Sequence, residues 1–368
     1  MSPGMNAPLR RGWTTGACAT AAAKAAFAAL RTGAFPDPVE ITLPRGARVA
    51  FALAEAHLAA GAARAGVVKD AGDDPDVTHG ALIRATVRAA PPGSGVTFRA
   101  GEGVGTVTRP GLPIPPGEPA INPVPRQMIR AALSEIVPQP DAAVEIAIPG
   151  GAALAQRTLN PRLGIVGGLS ILGTTGIVVP YSCAAWIAGI RQGIDVARAA
   201  GISHVVGATG RTSEAAVRAL YDLPEAALID MGDFVGGMLK HLRTHPLPRV
   251  TIAGGVAKMT KLAQGLLDLH SARGEIDRQF LATLAHDAGG AAALAEAIVA
   301  ANTAAHAFAL AAAEAVPLGD RVAARAWRTA AAVLGDAPVT LDVVLFDRAG
   351  AIVGRAGHDA APPRNRRR

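Results

Sequence analysis

The residues best suited to acid–base or metal chemistry lie close together in the segment of residues 69–79. Four carboxylates occur there within seven residues: Asp70, Asp73, Asp74 and Asp76. Crowding of carboxylates raises the pKa of at least one of them, which suits a general base, and carboxylate oxygens also bind metal ions. A second interpretation stays open, because Asp-Asp-Pro-Asp is also typical of a solvated turn capped by its own aspartates.

A second candidate is the glycine-rich stretch of residues 159–182. Its glycines free the backbone for positive φ or for close approach to a ligand: Gly164, Gly167, Gly168, Gly173 and Gly176. The run Gly-Thr-Thr-Gly at residues 173–176 can direct amides and hydroxyls at an anion. Ser182 can then cap a helix, whose free N–H groups also favour negative charge. A tight crossover inside a core is the alternative.

The tripeptide Thr-Thr-Gly occurs a second time at residues 14–16, again ahead of a predicted helix. Thr14 or Thr15 can cap that helix, and Gly33 is placed to end it. Cys18 lies in its first turn, where the helix N-terminus can lower a thiol pKa. A small buried residue without reactivity is the alternative for Cys18.

A third candidate follows the strand predicted at residues 202–206. The chain continues Gly207-Ala208-Thr209-Gly210 into a helix, and Asp230 ends the next predicted strand, twenty residues after Gly210. Nucleotide-binding folds place a carboxylate on ribose hydroxyls at about this distance. S-adenosylmethionine fits such a site, whereas no Gly-x-Gly-x-x-Gly follows a strand to indicate NAD. The alternative is a glycine turn that only tightens the strand-to-helix joint.

Two domains are predicted to position these candidates. Residues 1–150 indicate an α+β domain with helices at 14–30 and 125–136 and strands at 39–43, 49–57, 81–88, 96–99 and 144–148. Residues 151–350 alternate helix and strand, with strands at 202–206, 226–229, 249–253 and 339–346. This alternation predicts an α/β, Rossmann-like domain with a parallel sheet. A basic, disordered tail is predicted at residues 355–368.

Charge and cysteine content narrow the function classes. The 36 basic and 29 acidic residues give +7, and four of these charges come from the tail: Arg364, Arg366, Arg367 and Arg368. The body is only mildly basic, which suits a small polyanion better than nucleic acid, although nucleic-acid binding by the tail stays open. Two distant cysteines indicate a reducing cytosol, and the interrupted apolar runs indicate no membrane segment.

Several blocks in sequence order resemble one known family. They are Arg-x-Gly-Trp-Thr-Thr-Gly-x-Cys-Ala-x-Ala-Ala-Ala-Lys at residues 10–24, and the segments 68–80, 101–113, 120–126 and 160–168. Together they look like the cobalt-precorrin-5B C(1)-methyltransferase family of cobalamin biosynthesis, over residues 9–271. The resemblance implies transfer of a methyl group from S-adenosylmethionine to C-1 of cobalt-precorrin-5B, giving cobalt-precorrin-6A. Such a reaction depends on alignment and electrostatics rather than on a protein nucleophile.

The resemblance also implies roles for individual residues. The substrate carries several carboxylates, so cations and amide-lined turns are expected to bind it: Thr14, Thr15, Gly16, Lys24, Lys69, Arg162, Gly173, Thr174, Thr175 and Gly176. A proton leaves the macrocycle, and the expected acceptors are Asp70, Asp73, Asp74 and His79. The cofactor is expected to contact Gly207, Thr209, Gly210, Asp230 and Asp233. Cobalt arrives with the substrate, so no protein metal site is expected.

The sequence departs from the family at the expected cofactor edge. The family usually shows Pro-Gly-Asn after the first α/β strand, Ser-Asn-Phe at residues 232–234 and Gly-His-x-Gly-Lys at residues 254–258. This chain has Gly-Asp-Phe and Gly-Gly-Val-Ala-Lys at the last two places. The alternative function is therefore a tetrapyrrole-binding carrier that transfers no methyl group. Either protein is expected in the cytoplasm, as a possible homo-oligomer with a tetrapyrrole as its partner.

Overall fold

A computed structural model describes residues 8–357, which form parts of two compact units, Met1–Ser182 and Cys183–Arg368. The boundary therefore lies after residue 182, not at residue 150 as the sequence predicted. The reason is that the glycine-rich stretch pairs its short strands with strands of the first unit. Residues 358–368, most of the predicted basic tail, lie outside the described residues. No helix between residues 8 and 357 is long and apolar enough to span a membrane.

The described part of the first unit, residues 8–182, contains short strands and three helices. Its strands are β1 (Gly12–Trp13), β2 (Val39–Thr42), β3 (Arg48–Phe51), β4 (Glu55–Ala59), β5 (Ala62–Val68), β6 (Leu82–Ala89), β7 (Val96–Ala100), β8 (Thr106–Val107), β9 (Ala142–Ala147), β10 (Ile165–Val166) and β11 (Ile177–Val178). Its helices are α1 (Thr15–Thr32), α2 (Pro123–Ser134) and α3 (Gly151–Ala155).

Five strands of this unit form one sheet in the order β4-β5-β6-β9-β7. All neighbours are antiparallel except β7 and β9. The predicted strand at residues 49–57 is in fact two strands, β3 and β4, in different sheets. Strand β5 was not predicted, because its alanines and glycine have low β propensity, and its pairing with β6 stabilises it.

Helix α1 packs against this sheet and is almost entirely buried. Thr14 caps it by accepting a hydrogen bond from the amide of Ala17 at 3.1 Å, and Gly33 ends it at φ 82°. Most of its buried side chains are alanines. Their small size lets the helix backbone lie close to the sheet, which explains the alanine-rich sequence.

The second unit alternates helices and strands. Its helices are α4 (Cys183–Ala199), α5 (Arg211–Leu220), α6 (Val235–Thr244), α7 (Val256–Ala263), α8 (Arg278–Asp287), α9 (Ala292–Ala300), α10 (Ala304–Ala313) and α11 (Leu318–Leu334). Its strands are β12 (His204–Ala208), β13 (Leu228–Asp230), β14 (Arg249–Gly255), β15 (Thr340–Phe346) and β16 (Ile352–Gly357).

These strands form a single sheet in the order β13-β12-β14-β15-β16. The first four are parallel, as the sequence predicted, and β16 is antiparallel to β15. Numbered along the chain, the order is 2-1-3-4-5, one of the orders found in doubly wound α/β folds. In that order the chain reverses direction across the sheet between β12 and β14, and ligands bind at the carboxyl ends of the strands there.

Alternate residues of each strand face two different cores. Val205 and Ile252 pack in the core formed with α4, α6, α7 and α11. Their neighbours Val206 and Ala253 pack on the other face with Val217 of α5. Both faces of the parallel strands are therefore buried, which accounts for their continuous apolar sequence.

Close contact between α11 and β16 gives a test of the second unit's packing. A Cβ added at Gly319 would overlap the backbone of Val353 and Gly354. We expect Gly319→Ala to lower the free energy of unfolding by about 3 kcal/mol, because backbone atoms cannot move aside as a side-chain tip can. Urea denaturation measures this change. Gly255→Ala is the control, since its nearest atom would lie 4.0 Å away, and an equal loss in both variants would contradict the contact.

Candidate functional site

The buried cation of the aspartate-rich loop is Lys69, whose side chain is only 1% exposed. Its Nζ donates to Asp76 Oδ2 at 2.6 Å. The other oxygen, Oδ1, accepts from the amide and hydroxyl of Thr78 at 2.8 and 2.6 Å. Burial raises the pKa of Asp76, but the hydrogen bond and charge of Lys69 outweigh it and the pKa is lowered. Lys69 thus closes this loop. This structural role of Lys69 departs from the substrate-binding role expected for it.

The other three aspartates of the loop fasten it to the chain on either side. Asp70 binds the guanidinium of Arg10 with both oxygens, and Asp73 Oδ2 accepts from the amide of Arg10 at 2.6 Å. Asp74 Oδ1 accepts from the amide of Tyr181 at 2.8 Å. The hydrogen bond from Arg10 lowers the pKa of Asp70 to about 2. The expected rise in pKa from crowding therefore does not occur at Asp70, because each carboxylate has its own donor.

His79 lies beside Asp70, with Nδ1 3.8 Å from Oδ1 of that carboxylate. The same Nδ1 accepts a hydrogen bond from the amide of Ala71 at 3.1 Å. A neutral His79 therefore carries its proton on Nε2. The loop's carboxylates do not form a metal-ligating group; within residues 8–357 the group with suitable spacing is elsewhere, in the second unit.

The two Thr-Thr-Gly segments contact each other. Strands β1 and β11, which flank them, are paired antiparallel, and the amide of Thr14 donates to Gly176 O at 3.0 Å. The hydroxyl of Thr15 accepts from the amide of Leu172 at 3.0 Å. A Cβ added at Gly173 would overlap the side chain of Thr14, so the second segment needs a glycine at that position.

This pairing corrects the expectation of two anion pockets. The amide of Gly16 donates to Leu172 O at 2.9 Å, and the amides of Ala17 and Cys18 donate to Thr14. These N–H groups of α1 are therefore used within the protein. In the second segment Thr175 Oγ1 accepts from the amide of Ile177 at 3.2 Å, and Thr174 is exposed.

Two further predicted cations have different surroundings. Lys24 donates to the carbonyl of Glu40 at 2.7 Å and forms an ion pair with Glu135. It thereby connects α1 with β2 and with the residue that ends α2. Arg162 is half-buried just before β10. Lys24 is therefore held as a structural residue, and the substrate-binding role of Arg162 stays a prediction.

A cavity of about 890 Å³ opens at the carboxyl ends of β12, β14 and β15. One side consists of the first turns of α5 and α7, at residues 209–213 and 255–258, and residues 346–348 lie beside them. The rest of the lining is mostly apolar and comes from Ile276, from residues between 302 and 319, and from Val353. The sequence does not indicate this wall, because an alanine-rich helix gives no local sign that it faces a cavity.

Two helix N-termini meet this cavity without side-chain caps. Gly210 precedes α5 and Gly255 precedes α7, and neither has a side chain to accept from the first turn. The first N–H groups of a helix lack intrahelical partners and carry partial positive charge. The side chains of Arg211, Lys258 and Arg348 add cations to the lining, against the carboxylate of Asp347. The cavity therefore suits a ligand with a negative group and an apolar part.

The predicted cofactor residues fall into two sets. Thr209 and Gly210 line the cavity. Gly207 does not, because it lies against the sulfurs of Met231 and Met238, where an added Cβ would overlap them. Its glycine serves packing of α6 on the sheet, which corrects the predicted ligand contact.

The two predicted acidic residues lie next to the cavity lining rather than in it. Asp230 ends β13, on the side of β12 away from β14, and its carbonyl accepts from Trp186 Nε1 at 3.2 Å. Asp233 Oδ1 lies 3.0 Å from Lys258 Nζ, which also donates to Thr209 O at 2.8 Å. Lys258 thus connects Asp233 with the loop that begins the cavity.

Fold and cavity together define an α/β unit whose cavity opens at the carboxyl edge of a parallel sheet. The chain matches the family models described as CbiD, over residues 3–180, and as CbiD, C-terminal domain, over residues 268–357. A cobalt-precorrin-5B C(1)-methyltransferase from Bradyrhizobium sp. strain BTAi1 is 64% identical over 99% of this chain and 98% of that protein. Its namesake from Agrobacterium fabrum is 63% identical over 98% of both chains. The chain belongs to the cobalt-precorrin-5B C(1)-methyltransferase family.

A solved structure is also similar in sequence. It is the crystal structure of the cobalamin biosynthesis protein (cbiD) from Archaeoglobus fulgidus, with 28% identity and a TM-score of 0.38. The match covers 72% of this chain and 83% of that one.

The buried ion pair of the loop gives a test of its role. We expect Lys69→Met to lower the free energy of unfolding by about 2–3 kcal/mol, because it leaves the half-buried carboxylate of Asp76 without its cation. Adding Asp76→Asn should recover part of this loss. In the unchanged protein the contribution of Asp76 should fade as the pH drops below the usual aspartate pKa.

Urea denaturation measures these energies. The control is Arg48→Met, which removes an exposed ion pair with Glu40 and should cost at most about 1 kcal/mol. An effect of Lys69→Met no larger than that of the control would show that the pair is not buried in solution.

Thiol reactivity tests the packing of α1. Burial raises the pKa of Cys18 to about 12, whereas Cys183 is exposed. We expect Ellman's reagent at pH 8 to modify one thiol in the native protein and both in denaturant, because Cys18 is neither ionised nor accessible. Cys183→Ser should leave no reactive thiol in the native protein. Rapid reaction of that variant would contradict the burial of Cys18.

Proposed function

We propose that this protein transfers the methyl group of S-adenosylmethionine to C-1 of cobalt-precorrin-5B, giving cobalt-precorrin-6A in cobalamin biosynthesis. Membership of the methyltransferase family over nearly the whole chain supports the reaction. The observation that carries the donor site is the cavity where two helix N-termini without side-chain caps meet, at the carboxyl edge of the parallel sheet. Rossmann-like α/β proteins bind their ligands at the corresponding place, outside the carboxyl ends of the strands where the strand order reverses.

The donor fits the cavity by chemistry and by size. Its carboxylate suits the first turns of α5 and α7, and its adenine suits the apolar wall that includes Phe308, Val316 and Leu318. A Cβ added at Gly255 would have its nearest neighbouring atom 4.0 Å away, so the backbone there is open to a ligand. When bound, S-adenosylmethionine supplies an electrophilic methyl group.

The residues of the chain then act by positioning. Lys258 fixes the loop after β12 by holding the carbonyl of Thr209 and the carboxylate of Asp233. Thr209 and Gly210 keep the cofactor role predicted for them, and Asp230 remains the candidate for the ribose hydroxyls. Holding the two reactants in line contributes the larger part of catalysis in such a displacement.

The contacts of the loop reduce the four predicted proton acceptors to two. Asp70 is the weakest candidate, because its pKa is lowered to about 2. His79 uses Nδ1 to accept from the amide of Ala71, so a neutral ring has no second lone pair to offer. We therefore assign proton acceptance to Asp73 or Asp74.

Labelled methyl transfer tests the proposal. The purified protein, cobalt-precorrin-5B and S-adenosylmethionine with a ¹³C methyl group should give a product heavier by one labelled methyl, located at C-1 by NMR. Gly255→Phe should abolish both the product and calorimetric binding of S-adenosylhomocysteine, because the ring fills the cavity. Gly255→Ala, the matched control, should retain both.

Asp230→Ala tests which edge of β12 the methyl donor contacts. Weaker binding of S-adenosylhomocysteine by this variant places the ribose at the end of β13, and unchanged binding places the whole donor between β12 and β14. Absence of donor binding by the unchanged protein, with or without the tetrapyrrole, would overturn the methyltransferase proposal in favour of a carrier.

A further inference from the structure

Two histidines and an aspartate form a cluster in the second unit, and none of them lines the cavity. Asp195 lies on α4, His241 lies in the last turn of α6, and His245 ends that helix. One donor atom from each residue lies within 4.8 Å of the other two. Within residues 8–357 these are the side chains that meet this spacing for a metal-ligating group.

The backbone of α6 brings the two imidazoles together. The amide of His245 donates to His241 O at 2.8 Å, so the helical turn includes both residues. Residues four apart share one face of a helix. The two rings are accordingly stacked, with centroids 4.2 Å apart and an interplanar angle of 15°.

A neighbouring hydroxyl holds the ring of His245. Thr244 Oγ1 lies 3.1 Å from His241 O and 2.9 Å from His245 Nδ1. When the hydroxyl donates its proton to His241 O, the same oxygen accepts from Nδ1–H of His245, and Nε2 keeps a lone pair for a metal. Metal-binding histidines are oriented in this way, with the second nitrogen donating to a fixed partner.

Asp195 supplies the negative charge from the facing helix. Its Oδ1 lies 2.8 Å from His241 Nε2, across the contact between α4 and α6. The side chain of His241 is 10% exposed and that of Asp195 is 34% exposed. The residues next to them in sequence, Ile194 and Leu242, are fully buried in the core. The cluster thus has an apolar base and stays accessible to an ion from solvent.

We propose that Asp195, His241 and His245 bind a divalent cation of the zinc type. Two imidazole nitrogens and one carboxylate oxygen suit Zn²⁺ rather than Mg²⁺, with water in the fourth position. Binding would bring the donor atoms from within 4.8 Å of one another to the spacing of roughly 3.3 Å that a tetrahedral zinc site needs, which requires the two stacked rings to rotate. The ion would fasten α4 to α6. Such a site departs from the expectation that the protein has no metal site of its own.

Zinc titration of the full-length protein, without a histidine tag, tests the site. A chromophoric chelator competing for Zn²⁺ should report one equivalent bound, and Zn²⁺ should raise the melting temperature. His245→Ala should weaken binding at least about tenfold and remove the thermal shift. The matched control is His57→Ala, an exposed histidine on β4, which should change neither.

Two further measurements keep the test decisive if His245→Ala folds poorly. Asp195→Asn retains an oxygen for His241 but removes the charge, and it should also weaken binding. Co²⁺ in place of Zn²⁺ should give the visible absorption of a four-coordinate site with nitrogen and oxygen ligands. No saturable binding at one equivalent, or equal binding by all variants, would overturn the proposal.

Discussion

Removing polar groups from water requires partners for them, and this constraint organises the first unit. The two Thr-Thr-Gly segments satisfy each other's amides, carbonyls and hydroxyls where β1 meets β11. The same constraint explains Lys69, whose buried ammonium is held by Asp76. Residues that resemble ligand-binding motifs in the sequence are here partners within the fold.

In the second unit the same constraint acts on polar groups that have no capping side chain. The helices after β12 and β14 begin with glycine and have no side-chain caps, and both open on one cavity. Backbone N–H groups that the protein leaves uncapped at a cavity are suited to a ligand. The difference between the two units is therefore physical: α1 consumes the amides of its first turn, whereas α5 and α7 present theirs.

Small residues allow the close packing around these sites. Alanines let α1 lie against the sheet, and Gly319 and Gly354 let α11 cross β16 at backbone distance. Gly207 likewise admits the sulfurs of Met231 and Met238 beside β12. Gly207 and Gly173, which resembled ligand contacts in the sequence, are in this way packing residues, because a missing Cβ serves a neighbouring side chain as well as it serves a ligand.

The sequence by itself determined the features that depend on neighbours in the chain. Periodicity predicted α1, the parallel strands of the second unit and the turns after β12, and ordered motifs indicated the family. It could not decide which distant residues meet. Thr15 and Leu172 are 157 positions apart, and Asp195 and His241 are 46 apart. Such contacts leave no periodic signal, because they follow from sheet pairing and helix packing. Only the tertiary structure therefore decided that the Thr-Thr-Gly turns bind each other and that the cavity lies beside α10.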